Sequence, residues 1–222
     1  FDGTFDLSSV PPQEGGSGQG RKGRSVISIK DLMETSIVDL SDGSSLSEEE
    51  VVALRLWTGP MHIKYNAALT GEPHEVAASL LGNSYSTTIQ MIKSAMLKLA
   101  AHRKLTVERC YVVMESCGEL RRIDKTGTRG YTSKGFVSAT RNKLSAMALS
   151  AAGVGKGNRQ QERTPRTSMD LLGTVGVVEL RRCSFAADLS LFSQFPDEEE
   201  ILLPPGTFLE FGKQVSIPGR IR

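Results

Sequence analysis

Three consecutive carboxylates, Glu198, Glu199 and Glu200, run directly into the apolar triplet Ile201-Leu202-Leu203, and Pro204-Pro205-Gly206 follows. The triplet reads as a buried strand, because proline cannot donate to a sheet ladder and Pro-Gly favours a turn. The acids then stand at the strand's entry. Alternation along an extended chain sends Glu198 and Glu200 to one face and Glu199 to the other. Two carboxylates sharing a face at an apolar edge have their proton affinities pushed apart by burial and mutual repulsion. Such a pair suits substitution at a sugar's anomeric carbon: one acid stabilises an oxocarbenium-like centre while the other orients or deprotonates the attacking group. A solvated acidic turn in front of a core strand is the plainer alternative.

Two further groups have the right chemistry for such a site. Arg109 falls inside the apolar strand pattern Leu105 to Met114. A guanidinium there needs an anion, and its planar donor fork matches phosphate or carboxylate; a neighbouring Glu would also satisfy it. Phe136-Val137 forms a short strand ending in the small residues Ser138-Ala139-Thr140. Hydroxyls at a strand end commonly cap turns, and they also orient carboxylates.

The stretch from Asp188 to Phe211, with Phe192, Phe195 and Glu198 to Gly206 in register, resembles the Glu-x-Glu signature of the arginine-specific mono-ADP-ribosyltransferases. The order Arg109, Ser138, Glu200 resembles that family's Arg-Ser-Glu set, in a divergent, protist-like member. Glu108-Arg109-Cys110 stands where the family usually has Tyr-Arg-Gly, and Ala139 replaces a hydroxyl residue. Leu56-Trp57-Thr58-Gly59-Pro60 followed by Tyr65-Asn66 resembles the family's N-terminal Tyr-Thr-Gly-Pro and Tyr-Asn pairing, with Trp57 lining the cleft or simply filling core.

The resemblance implies transfer of ADP-ribose from NAD to an arginine of a protein acceptor, with nicotinamide released. It implies catalytic roles for Glu200, Glu198, Ser138 and Arg109. NAD would be bound by Arg109, Ser138, Thr140, Phe136 and Glu200, and the acceptor arginine met by Glu198 and Phe195. Arg109 would hold phosphate, Ser138 would orient Glu200, and Thr140 would support the same wall. No metal is required. Water as acceptor would give an NAD glycohydrolase; a silent NAD-binding or interaction module is a further reading, and a structural domain with an acidic turn the simplest.

The elements that position these groups divide at the middle of the chain. Ser47 and Glu50, three apart, form a capping box ahead of Val51, Val52, Leu54 and Leu56, and Gly59-Pro60 stops that helix. Tyr65 to Leu69 and Thr87 to Ala101 read as further helices, the second with Ile89, Ile92, Met96, Leu97 and Leu99 inward. Branched and aromatic residues dominate after Leu105, and Thr174 to Arg181 reads as a strand beside the Glu200 strand. Asn142 to Ala152 reads as a helix, and 153–166 as a basic loop.

Helices followed by strands indicate an α+β fold, and the resemblance specifies two packed small mixed sheets with an N-terminal helical layer around an NAD cleft. Residues 1–45 read as a largely disordered or irregular lead-in, with Val26 to Leu40 able to form a short strand or helix, 46–212 as the domain and 213–222 as a tail.

At 222 residues the chain can bury a substantial core. Its formal charge of +2 points to neither nucleic acid nor an anionic membrane as partner, and no apolar run approaches a bilayer span. The missing initiator Met reads as a fragment, so the lack of a leader carries little weight. Three cysteines without Cys-x-x-Cys spacing and three scattered histidines argue against a metal site and for a reducing, cytoplasmic setting.

Overall fold

The capping box is formed in full: Ser47 Oγ accepts from the Glu50 N–H at 3.3 Å, and the Glu50 carboxylate accepts from the Ser47 N–H at 2.9 Å. The computed structural model describes residues 23, 27–34, 45–102, 105–114, 130–154 and 174–210. From the cap rises α2 (Glu48–Leu56), preceded by the short α1 (Ile29–Met33). Although α1 lies in the expected lead-in, its Leu32 is fully buried in the helical core. A widened turn, Trp57–Met61, separates α2 from α3 (His62–Thr70). The break is at Gly59, whose ψ of −165° is extended, as a residue before proline prefers.

After α4 (His74–Ser79), α5 (Ser86–His102) buries Ile89, Ile92, Met96 and Leu99 at alternating three- and four-residue spacing. Leu97 was expected on this inner stripe. It is 63% exposed, because one step along a helix turns a side chain about 100° away from Met96. Among the described residues, no helix is long and apolar enough to cross a membrane.

The strands are β1 (Leu105–Met114), β2 (Gly130–Thr132), β3 (Val137–Thr140), β4 (Thr174–Cys183), β5 (Ala187–Asp188), β6 (Glu200–Leu203) and β7 (Phe208–Glu210), with α6 (Lys143–Val154) between β3 and β4. They form a five-stranded sheet in the order β4-β1-β3-β6-β5 and a two-stranded sheet β2-β7. The α+β architecture is as expected, but every pairing among the described strands is antiparallel, so the sheets are not mixed. The neighbours of β6 are β3 and β5. The strand expected beside it, β4, pairs with β1 at the far edge.

Alternation along β6 divides the interior. Leu202 joins Trp57, Phe136 and Phe192 in the core under the helices, whereas Ile201 and Leu203 join Cys110, Val112, Val137 and Ala139 on the opposite face. All four β6 residues are buried.

Candidate functional site

Register across the middle of the large sheet assembles the site. Tyr111 on β1 pairs with Thr140 on β3, and Thr140 pairs with Glu200 on β6. Paired residues face the same way, so these three side chains lie on the helix-facing side with Leu202. Ser138, two residues before Thr140, shares that face, and Arg109, two residues before Tyr111, shares it too. Strands two apart, as β1 and β6 are, stand roughly 10 Å from each other.

Glu200 is only 9% exposed. Its Oε1 accepts from Ser138 Oγ at 2.6 Å and from Trp57 Nε1 at 3.1 Å. Among the described residues none donates to Oε2, and that oxygen is not fully sealed from solvent. Burial raises the carboxyl's proton affinity; the Ser138 and Trp57 donors and a charge on His62 oppose the rise, and Glu198 adds to it. The net effect is upward.

Trp57 is core: the residue is 1% exposed and its ring packs on Phe136 at 4.8 Å between centroids, while its N–H donates to the Glu200 carboxylate. The His62 ring lies 5.9 Å from Trp57, with Nδ1 2.6 Å from the Gly59 carbonyl. Asn66 fixes Phe136 through both backbone groups, Nδ2 donating to its carbonyl at 3.1 Å and Oδ1 accepting from its N–H at 2.9 Å. The Phe136 ring, 3% exposed, therefore stiffens the wall from behind.

Glu198 reaches the site by a different route from strand alternation. The strand begins only at Glu200; Pro196–Glu198 is a single 3-10 turn, and Glu199 has a left-handed backbone with φ of 46°. Glu198 is partly buried and close enough to Glu200 to raise its proton affinity. Thr140, 6% exposed, commits its hydroxyl to the Glu198 carbonyl.

The loop before it docks on the C-terminal end of α2. Gln194 N–H donates to Thr58 Oγ1 at 3.1 Å, Gln194 Nε2 to the Arg55 carbonyl at 2.9 Å, and Arg55 to the Phe192 carbonyl at 3.0 Å. A Cβ on Gly59 would stand 2.4 Å from Gln194 Nε2, so a larger residue there would push that amide off the Arg55 carbonyl. Phe195, half-buried, follows at the start of the 3-10 turn.

Arg109 is not buried as its strand context suggested. Its side chain is 67% exposed and lies 3.5 Å from Glu179, its cross-strand partner on β4. The next residue, Cys110, is fully buried on the opposite face, so its side chain takes no room from the site side. Asn66 was named only through the Tyr65-Asn66 pairing, and His62 and Gln194 were not singled out; an isolated polar residue carries no signal until the fold shows what it touches.

No family model matches the chain, and no curated protein does. Solved structures do. The fold is similar to the eukaryotic mono-ADP-ribosyltransferase ART2.2, at 16% identity and a TM-score of 0.53, covering 85% of this chain and 68% of that one. It is similar to the ADP-ribosyltransferase HopU1 of Pseudomonas syringae pv. Tomato DC3000, at 22% identity and a TM-score of 0.51, over 83% of this chain and 86% of that one. The ADP-ribosyltransferase Vis gives 14% identity and a TM-score of 0.50, over 81% and 73%. The chain has the ADP-ribosyltransferase fold.

Proposed function

We propose that this chain transfers ADP-ribose from NAD to the guanidinium of an arginine on a protein acceptor, releasing nicotinamide. The observation that carries the reading is the Glu200 carboxylate, buried at the entry of β6 with both its described donors on Oε1, so that Oε2 can serve a ligand. The fold shared with proteins named as ADP-ribosyltransferases supports it.

NAD supplies the ADP-ribosyl group, and positive charge grows on its ribose as the bond to nicotinamide lengthens. A fixed anion in a place poor in water stabilises that charge far more than it would in solution. Glu200 is that anion, with Oε2 positioned to accept from a ribose hydroxyl. Ser138 and Trp57 keep its other oxygen still, so little reorganisation is needed when charge develops. Arg109, exposed on the same face and in surface contact with Glu179, turns its donor fork to phosphate. Glu198 receives the incoming guanidinium, pairing with it and taking its proton as the new bond forms. Phe195 lies three residues before it, where an aromatic ring stacks on a guanidinium plane.

Glu200 and its two donors are complete without Glu198, which favours transfer to water as a side reaction of the same site. The odd cysteine count without Cys-x-x-Cys spacing, with Cys110 buried, supports action in the cytoplasm.

Incubation with labelled NAD and agmatine tests the acceptor role. In Glu198→Gln, labelling of agmatine should fall by roughly 10²-fold while nicotinamide release persists. Undiminished labelling in that variant would remove Glu198 from the mechanism.

A further inference from the structure

Thr140, Arg141 and Asn142 are consecutive, and so are Asp197, Glu198 and Glu199. Each of the first three donates to a carbonyl of the second three. Thr140 Oγ1 donates to the Glu198 carbonyl, the Arg141 backbone N–H to the Glu199 carbonyl at 3.3 Å, and Asn142 Nδ2 to the Asp197 carbonyl at 3.0 Å. The β3–β6 ladder ends at Thr140 and Glu200, so these bonds continue the contact past the point where regular pairing stops.

What they hold is a turn with one strained residue. Glu199 has φ of 46°, a left-handed conformation that costs a non-glycine residue on the order of 1 kcal/mol or more. A short run of carbonyls facing one strand end is kept there by donors of three different kinds. The Arg141 side chain adds a brace, reaching Asp188 on β5 at 2.9 Å across the far side of β6.

Asn142 is the part that communicates with the rest of the fold. Its Oδ1 accepts from the N–H groups of Leu144 at 3.0 Å and Ser145 at 3.2 Å, capping α6, while its Nδ2 holds the turn. Two backbone donors on one amide atom identify that atom as the oxygen.

We propose that Thr140, Arg141 and Asn142 form a clamp that aims the Glu198 carboxylate at the acceptor, with Asn142 as a specificity-determining positioning residue. The acceptor half rests on the reading of Glu198 given above. Because the clamp grips the turn and not Glu200, loosening it lowers transfer to arginine while leaving cleavage of NAD in place.

Asn142→Asp separates the clamp from the cap. Aspartate caps a helix as well as asparagine does, but it has no donor for the Asp197 carbonyl and sets a carboxylate oxygen against it. Asn142→Ser also keeps a capping oxygen without an amide donor, and both are compared with the parent as the full chain. Two readouts are taken: hydrogen exchange of the Glu198 and Glu199 amides, which bond to the Phe195 and Pro196 carbonyls, and the ratio of labelled agmatine to nicotinamide released.

The clamp predicts exchange about tenfold faster at those two amides with β6 amides unchanged, and a ratio lowered about tenfold. Unchanged exchange in both variants overturns the clamp, whether or not the chain turns over NAD. Faster exchange with an unchanged ratio overturns the role of Asn142 in acceptor choice. A parent chain that releases no nicotinamide defeats the functional reading beneath the acceptor half, and the exchange result still decides the clamp.

Discussion

Glu200 has to be buried and charged together. Burial favours its protonated form, and two donors on one oxygen work against that preference. Trp57→Phe keeps a ring against Phe136 and removes the donor, so the ionised state of Glu200 loses support. Its proton affinity rises further, and the acid limb of the pH profile for nicotinamide release should move to higher pH. The rate at the optimum should fall about tenfold, the value of one hydrogen bond to a charged group. An unmoved acid limb would mean that the indole serves packing only. The sequence exposed the carboxylate and the hydroxyl clearly, because Glu200 and Ser138 sit in short motifs with flanking punctuation. It left Trp57 ambiguous for a physical reason: an indole with a 1% exposed ring is a core residue by every local criterion, and its N–H partner lies 143 positions away.

At the scale of elements, the helical layer is tied at the junction of α2 and α5 by one buried carboxylate. Glu50 is 3% exposed and accepts from the Ser47 N–H at 2.9 Å, from Ser94 Oγ at 2.6 Å and from Lys98 Nζ at 2.9 Å. Burial pushes its proton affinity up, but Ser94, Lys98 and Ser47 together outweigh that, and the net shift is downward. A carboxyl that holds its proton less tightly in the fold stabilises the fold above its unfolded pKa, and the contribution is lost as pH falls through the folded value. Glu50→Gln should therefore cost about 1–3 kcal/mol near neutrality and little in strong acid, measured by denaturant unfolding at both. Equal losses at the two pH values would assign Glu50 a packing role alone. Its capping half was legible in the Ser47 and Glu50 spacing. Its contacts to Ser94 and Lys98 were not, since nothing local reports which helix packs on which. For the same reason β4 was placed beside β6: neighbouring apolar strands in sequence commonly pair, and here β3 takes the position next to β6 instead.

Across the whole molecule, the register from Tyr111 through Thr140 to Glu200 is what turns scattered letters into one face. Arg109 belongs to that face and carries little of the stability, because its contact to Glu179 is exposed on both sides. Arg109→Ala should raise KM for NAD about tenfold, as loss of a charge-assisted contact does, with an unfolding free energy within about 1 kcal/mol of the parent. An unchanged KM would remove Arg109 from the nucleotide path. The α+β class could be read from helical periodicity giving way to branched strands, but the antiparallel strand order, and with it the exposure of Arg109, is a property of long-range pairing that local pattern does not encode.

The most direct test of the account is nicotinamide release from NAD by the parent chain and by Glu200→Gln, an isosteric change that keeps an oxygen for Ser138 and Trp57. The account predicts measurable release by the parent and a fall of roughly 10²–10³-fold in the variant. Release at the parental rate in Glu200→Gln would contradict it.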